Sequence, residues 1–188
     1  MARTSHRALS GVALGGLIAM GIMAGAPTAA GATCSATAPA TEGPYYTPGA
    51  PYRASIATPG TQGTPLVLTG RVLTTACAPV ARATVDVWQA DGTGAYDNAD
   101  YRLRGKVRTG ADGTWRLRTV VPGIYPGRTE HIHVKVGAPG GPVTTTQLYL
   151  PGSAGNARDA FFSSSLLIRN LKRSRTPWTG SYTFVVRR

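Results

Sequence analysis

From residue 66 to its end, the chain is written in short runs of alternating apolar residues, each stopped by glycine or proline. Runs of that length and period fold as strands, because side chains on extended backbone alternate faces and return every second residue. Residues 66–73, 83–88, 114–120, the stretch through His131-Ile132-His133, 144–150 and 181–186 all read this way. Ala78-Pro79-Val80 marks a turn, and Ala111-Asp112-Gly113 a hairpin turn ahead of Thr114. Only residues 156–170, carrying Phe161, Phe162, Leu166 and Leu167, read as a helix. Short strands, Gly and Pro turns and one C-terminal helix predict an all-β chain folded as a β-sandwich over 66–188. Residues 33–65, rich in Pro, Gly, Ala and Thr, predict an extended arm wrapped on that core.

Residues 1–32 read as an export signal. Arg3 and Arg7 supply a basic start, residues 8–26 are apolar, and Ala30-Gly31-Ala32 offers a small-x-small cleavage site. An anchoring transmembrane helix is the alternative, but the run is loose with glycine and no basic stop-transfer cluster follows it. The expectation is a secreted, extracellular protein that leaves the membrane once the signal is cut. Without Arg3 and Arg7, 18 basic residues face 8 acidic ones, a net charge of +10. The cations are scattered singly, with no long run and no nucleic-acid module, so no specific nucleic-acid partner is expected. Weak adhesion to polyanionic or lignin-like material is the interaction this balance favours. Cys34 and Cys77 are the only cysteines, and an even count in an exported chain predicts a disulfide.

The chemistry concentrates in residues 125–133, Tyr-Pro-Gly-Arg-Thr-Glu-His-Ile-His. On a strand, His131 and His133 project from one face and Ile132 from the other, so both imidazoles reach one metal ion. They are the only histidines beyond the leader. Tyr125 follows a Pro-Gly pair in a turn and can lean over the same point. A second glycine-rich loop, 91–97, carries Tyr96. Alone, Tyr96 reads as a loop aromatic. Two phenols with two imidazoles suit Fe(III), a hard cation that anionic oxygen donors hold strongly. Two phenolates and one hydroxide would cancel its charge and lower the cost of burying it.

An ordered set of motifs carries a resemblance across residues 41–162. It comprises Leu68-Thr69-Gly70-Arg71-Val72, Val85-Asp86-Val87-Trp88-Gln89-Ala90, Gly94-Ala95-Tyr96, Arg104-Gly105-Lys106, Asp112-Gly113, residues 118–126 with Pro122-Gly123-Ile124-Tyr125, His131-Ile132-His133 and Thr145-Thr146-Gln147-Leu148-Tyr149. In these the chain resembles the intradiol ring-cleavage dioxygenases, the group of catechol 1,2-dioxygenase and protocatechuate 3,4-dioxygenase. The resemblance implies a prealbumin-like sandwich and non-haem Fe(III) held by Tyr96, Tyr125, His131 and His133, with Tyr125 and His133 as the axial pair. It implies that Arg128 stabilises negative charge on a bound catecholate and that Gln147 lies near the reacting carbon. The substrates would be an aromatic diol and O₂, and the product a cis,cis-muconate-type diacid. Gly43, Pro44 and Tyr45, within Thr41-Glu42-Gly43-Pro44-Tyr45, resemble a segment that walls the pocket. Only five residues separate Tyr125 from His131, fewer than in the large catechol enzymes, which implies a more open site. Thr129 stands where proline often follows the arginine, and Glu130 should face away from its neighbour's metal.

Two other readings fit parts of the pattern. A non-catalytic, transthyretin-like binding module would use Val72, Ala83, Asp112, Gly113 and Tyr125 as scaffold, but it leaves Tyr96, Arg128, His131 and His133 unexplained. A zinc hydrolase using the two histidines and a carboxylate would leave the tyrosines without a role.

Overall fold

The computed structural model describes residues 1–2 and 32–188, and the export signal read over 1–32 lies almost wholly outside them. Eight strands form two four-stranded sheets. They are β1 (Pro65–Thr74), β2 (Thr84–Trp88), β3 (Arg104–Arg108), β4 (Thr114–Val120), β5 (His131–Gly137), β6 (Val143–Tyr149), β7 (Arg169–Lys172) and β8 (Trp178–Val186). One sheet is ordered β3-β2-β5-β6 and the other β4-β1-β8-β7. All neighbours are antiparallel except β1 and β8. Among the described residues no helix is long and apolar enough to cross a membrane.

Alternation builds the core. Val85, Val87, Ile132, Val134 and Val136 from one sheet meet Leu66, Leu68, Leu117, Tyr182 and Phe184 from the other, all buried. Two apolar inner faces joined this way give the sandwich its stability. On β5 this inward set leaves His131, His133 and Lys135 on the outer face.

Two expectations need correction. The 156–170 segment is not a helix but two 3₁₀ turns, Asn156–Arg158 and Ser164–Leu166, followed by β7. Serines 163–165 favour local turns over helix, and tertiary partners claim the rest. Phe162 packs edge-on against Tyr149 at 5.2 Å, and the Ile168 N–H donates to the Tyr149 carbonyl at 2.9 Å. The Asp112-Gly113 turn is tight, but it is no hairpin: it joins β3 in one sheet to β4 in the other.

Residues 33–64, ahead of β1, add no strand to either sheet and run as an arm along the core. Cys34 and Cys77 form a disulfide with Cα atoms 5.3 Å apart. Ala40 donates to the Thr145 carbonyl on edge strand β6 at 2.9 Å. Further on, residues 51–56 bridge the opposite side of the sandwich. Lys106 N–H on β3 donates to Pro51 O at 2.9 Å, and Arg118 N–H on β4 donates to Ala54 O at 2.7 Å. The arm thus satisfies edge-strand groups that would otherwise template association.

Candidate metal centre

The register of the first sheet sets out the site. Trp88, His133 and Gln147 are cross-strand partners, and His131 lies opposite Tyr149. The Trp88 indole stacks on His133 with ring centroids 4.8 Å apart and planes 10° from parallel. Both histidines are buried, at 2% and 1% exposure.

Two loops bring up the phenols. In the first, Asp91 Oδ1 accepts from Thr93 N–H at 2.9 Å, Thr93 Oγ1 at 2.7 Å and Ala95 N–H at 3.1 Å, folding the chain before Tyr96. Gly94 has φ +89°, and a Cβ there would lie 2.2 Å from the Ile124 carbonyl oxygen. Only glycine lets the Tyr96 and Tyr125 loops approach so closely. Gly123 N–H, donating to Asp91 O at 2.7 Å, ties them together. The second loop is a Tyr125-Pro126-Gly127-Arg128 turn closed by Arg128 N–H to Tyr125 O at 3.0 Å. Proline followed by glycine at φ +79° is the signature of a type II turn.

The four rings close a circuit. Centroid separations are 5.8 Å for Tyr96–Tyr125, 5.6 Å for Tyr125–His131, 4.7 Å for His131–His133 and 6.4 Å for His133–Tyr96. The predicted quartet is therefore brought together from three segments of chain. His131 Nδ1 lies 2.7 Å from the Thr129 carbonyl, a contact only an N–H can make, so its Nε2 bears the lone pair. That Nε2 stands 3.1 Å from His133 Nε2. The Tyr96 hydroxyl is buried with no hydrogen-bond partner. His133 Nδ1 also lacks one in good geometry, although the Thr41 backbone lies close enough to favour its protonation.

Burial sets the protonation states. It lowers the His131 pKa to about 4, and it holds His133 well below the ordinary imidazole value, helped by His131 and Arg128. Both rings are neutral at neutral pH, the form that binds metals. Burial also raises the Tyr96 phenol, with Tyr125 adding to the effect. A cation among these four rings would supply the charge that Tyr96 needs to ionise. Among the described residues no three His, Cys, Asp or Glu side chains gather as a metal site, so any metal here takes phenol oxygens as well. Opposed imidazole nitrogens and an orphaned buried hydroxyl fit that donor set.

Arg128 stands beside the circuit. Its Nη1 lies 3.4 Å from the Tyr125 oxygen and its Nη2 donates to Gln147 Oε1 at 2.6 Å. Gln147 Oε1 also accepts from Tyr149 at 2.7 Å, while Gln147 Nε2 donates to Thr41 O at 2.7 Å. Gln147 Oε1 thus accepts twice, and the side chain acts as a brace for Arg128. Sequence reasoning missed Asp159, 7% exposed, which takes Arg128 Nε at 3.0 Å and Thr129 N–H at 3.0 Å. It also missed Arg104, which donates to Tyr45 O and Asp97 O, both at 2.5 Å, and so anchors the Tyr96 loop. Asp159 carries no local signal because it sits in the stretch read as helix, whereas Arg104 stands in the Arg104-Gly105-Lys106 motif, which by itself assigns it no role.

An open cleft of about 570 Å³ borders Tyr125 and Arg128, lined also by Ile124, Pro126, Glu130 and Arg158. Glu130 therefore turns toward this cleft. Gly43, Pro44 and Tyr45 do not line it. Tyr45 stacks on Tyr96 at 4.3 Å and meets Tyr125 edge-on at 6.1 Å, and Gly43 lies against His133. Gly43 and Tyr45 cover the rings instead.

A β-sandwich bearing two imidazoles and two phenols around one point on an outer sheet face offers a donor set of mixed nitrogen and oxygen that fits a metal ion. The family model described as Dioxygenase matches residues 41–182, and the chain belongs to the intradiol dioxygenase family. It is 34% identical over 173 residues to catechol 1,2-dioxygenase 2 of Acinetobacter lwoffii, covering 74% of this chain and 63% of that one. It is 32% identical over 151 residues to 6-chlorohydroxyquinol 1,2-dioxygenase of Cupriavidus pinatubonensis, covering 67% and 55%. The chain thus spans just over half of one of these relatives and nearly two thirds of the other. Among solved structures, it superposes on the dioxygenase domain of a dioxygenase–carbohydrate-binding protein fusion from Streptomyces sp. SirexAA-E. That match has TM-score 0.78 and 48% identity, and covers 81% of this chain and 99% of that one. It also superposes on 3-chlorocatechol 1,2-dioxygenase from Rhodococcus opacus 1CP, with TM-score 0.74 and 28% identity, covering 81% and 72%.

Proposed function

We propose that the protein is a secreted intradiol dioxygenase, cleaving catechol-type rings with O₂ to cis,cis-muconate-type diacids. In this reading Tyr96, Tyr125, His131 and His133 hold a non-haem Fe(III). The observation that carries it is the closed circuit of four rings, with two imidazole Nε2 atoms 3.1 Å apart. The bound ferric ion would supply Lewis acidity that draws electron density from a chelated diol and opens the ring to O₂.

The chain's own residues do the rest. Tyr125, beside the cleft, would be a phenolate when it holds the ion, and is the one placed to take up a proton from an incoming diol. Arg128 offers fixed positive charge on the cleft side, where a diol that has lost its protons is negative. Asp159 and Gln147 hold that guanidinium from two directions, so it does not reorient during the reaction. Tyr45 and Trp88 pack on Tyr96 and His133 and keep water from one side of the rings. The cleft is open to solvent and Ile124 at its rim is 63% exposed, which supports acceptance of ring-substituted diols.

The first test is the visible spectrum of the iron-loaded protein before and after catechol under air. A broad tyrosinate-to-iron band that shifts with catechol, followed by muconate, is the expected result. A protein that remains colourless and inert after Fe(III) loading would return the binding-module reading.

A further inference from the structure

The outer face of the β4-β1-β8-β7 sheet plays no part in the candidate centre, which lies on the outer face of the other sheet. Register places its outward side chains in three rows. The first runs Arg116, Thr69, Ser181, Arg169 across all four strands. Beside it runs Arg118, Val67, Thr179, Lys172, and on the other side Thr114, Arg71, Thr183. The residues between them, Leu68, Leu117, Tyr182 and Phe184, are buried in the core.

Of these eleven positions, five are cations, five are hydroxyls and one is Val67. None of the four strands holds an Asp or Glu, and no carboxylate side chain follows Asp159 in the sequence. Among the described residues the one carboxylate paired with these five cations is Asp112, 3.8 Å from Arg71 with both side chains more than half exposed. Such a pair is easily exchanged for another partner. At the β4 edge the face runs into a groove of about 1000 Å³, whose charged lining residues are Arg53, Arg71, Lys106, Arg108 and Arg116, all cations.

We propose that this face docks the protein onto a polyuronate, a polymer carrying one carboxylate and free hydroxyls on each sugar ring. Guanidinium forks match carboxylates in two parallel hydrogen bonds. Threonine and serine hydroxyls between the cations match ring hydroxyls, which both donate and accept. Cations are spread in two dimensions, roughly 7 Å apart along β4 and roughly 14 Å from β4 to β7. That spacing suits a broad anionic matrix better than one strand of phosphates. No aromatic ring stands in the rows for a base to stack on, the exposed Tyr52 ring in the groove is covered by the Arg108 guanidinium at 4.7 Å, and the rows hold no apolar cluster to enter a bilayer. Because the centre occupies the opposite face, docking here anchors the protein and leaves the 570 Å³ cleft open to solvent.

Affinity electrophoresis of the whole chain through gels containing polygalacturonate tests this. The pair R116E/R169E is compared with R187E/R188E, which changes net charge equally but lies beyond β8. The first should lose about ten-fold in affinity and the second less than about two-fold, with melting temperatures unchanged. Should the charge-reversed face fail to fold, R116Q/R169Q must still lose about three-fold. Equal losses from both reversals, full retention by the glutamine pair, or tighter retention by duplex DNA or anionic phospholipid vesicles overturns the proposal.

Discussion

Arg128 shows how much one side chain depends on its neighbours here. Its stem carries a charge into a half-buried position, where isolation would be costly. Burial lowers its pKa, yet the Asp159 carboxylate outweighs that and raises it overall. Asp159 is pushed up by burial, but N–H donors from Thr129, Phe161 and Arg128 hold it below the ordinary carboxylate range. D159N keeps the shape and removes the charge, so kcat/KM should fall about 10- to 100-fold, the range for losing an outer-shell partner. Partial recovery in D159E would separate positioning from packing. A carboxyl with a depressed folded pKa stabilises the fold above its unfolded pKa, roughly 3.9, and loses that effect as pH falls through the folded value. Urea unfolding from pH 7 down to pH 2 should therefore show a shallower acid limb for D159N than for the parent. Tyr125→Phe should retain iron yet turn over at least about ten-fold more slowly, the low end for losing a general base. An unchanged rate would remove Tyr125 from the proton-handling role.

At the scale of elements, the site depends on two loops that must touch. Gly94 is the contact point. G94A would force a Cβ to 2.2 Å from the Ile124 carbonyl at a φ of +89°, so the loops must part. The expected cost is about 1–3 kcal/mol of stability, together with a weaker tyrosinate band per iron as Tyr96 swings away. Thermal melts and iron-normalised spectra check both parts. An unchanged band in a destabilised protein would mean that Tyr96 is placed by Arg104 and Tyr45 rather than by Gly94. The strands were legible because alternation reports burial directly: four of the five runs predicted with bounds match within two residues at each end, and the His131-Ile132-His133 stretch opens β5. The last was shortened, since β8 begins at Trp178. Strand β3 was missed because Arg104-Gly105-Lys106 hides a buried arginine and a bare glycine where a pattern reader wants aliphatic residues. The helix was misread because Phe161, Phe162, Leu166 and Leu167 answer to Arg128, Tyr149 and the sheet rather than to one helical stripe.

Over the whole molecule, the arm acts as a strap. One end is stapled through Cys34 to the turn after β1, its middle roofs His133 and Tyr96, and its far end bridges β3 and β4. Opening the disulfide in C34S/C77S should lower stability by about 2–4 kcal/mol in the chain-entropy picture. Amides of Ala40 and Arg53, which bond to strand carbonyls, should then exchange faster than those of β5. Equal protection in both forms would show that edge pairing alone holds the strap.

The sandwich, the shared face of His131 and His133, and the disulfide were readable from the residues alone, because each follows from local period or from a count. Motif order also identified Tyr96 and Tyr125 as candidate donors. Only the tertiary structure decided that the four rings close on one point, that Asp159 and Gln147 clamp Arg128, and that Tyr45 roofs the rings. It alone gathered scattered arginines onto one face whose strands hold no carboxylate. The physical reason is that these facts depend on which strands lie side by side and in what register. Hydrogen bonding and core packing choose that across more than a hundred residues, and no stretch of chain can record it alone.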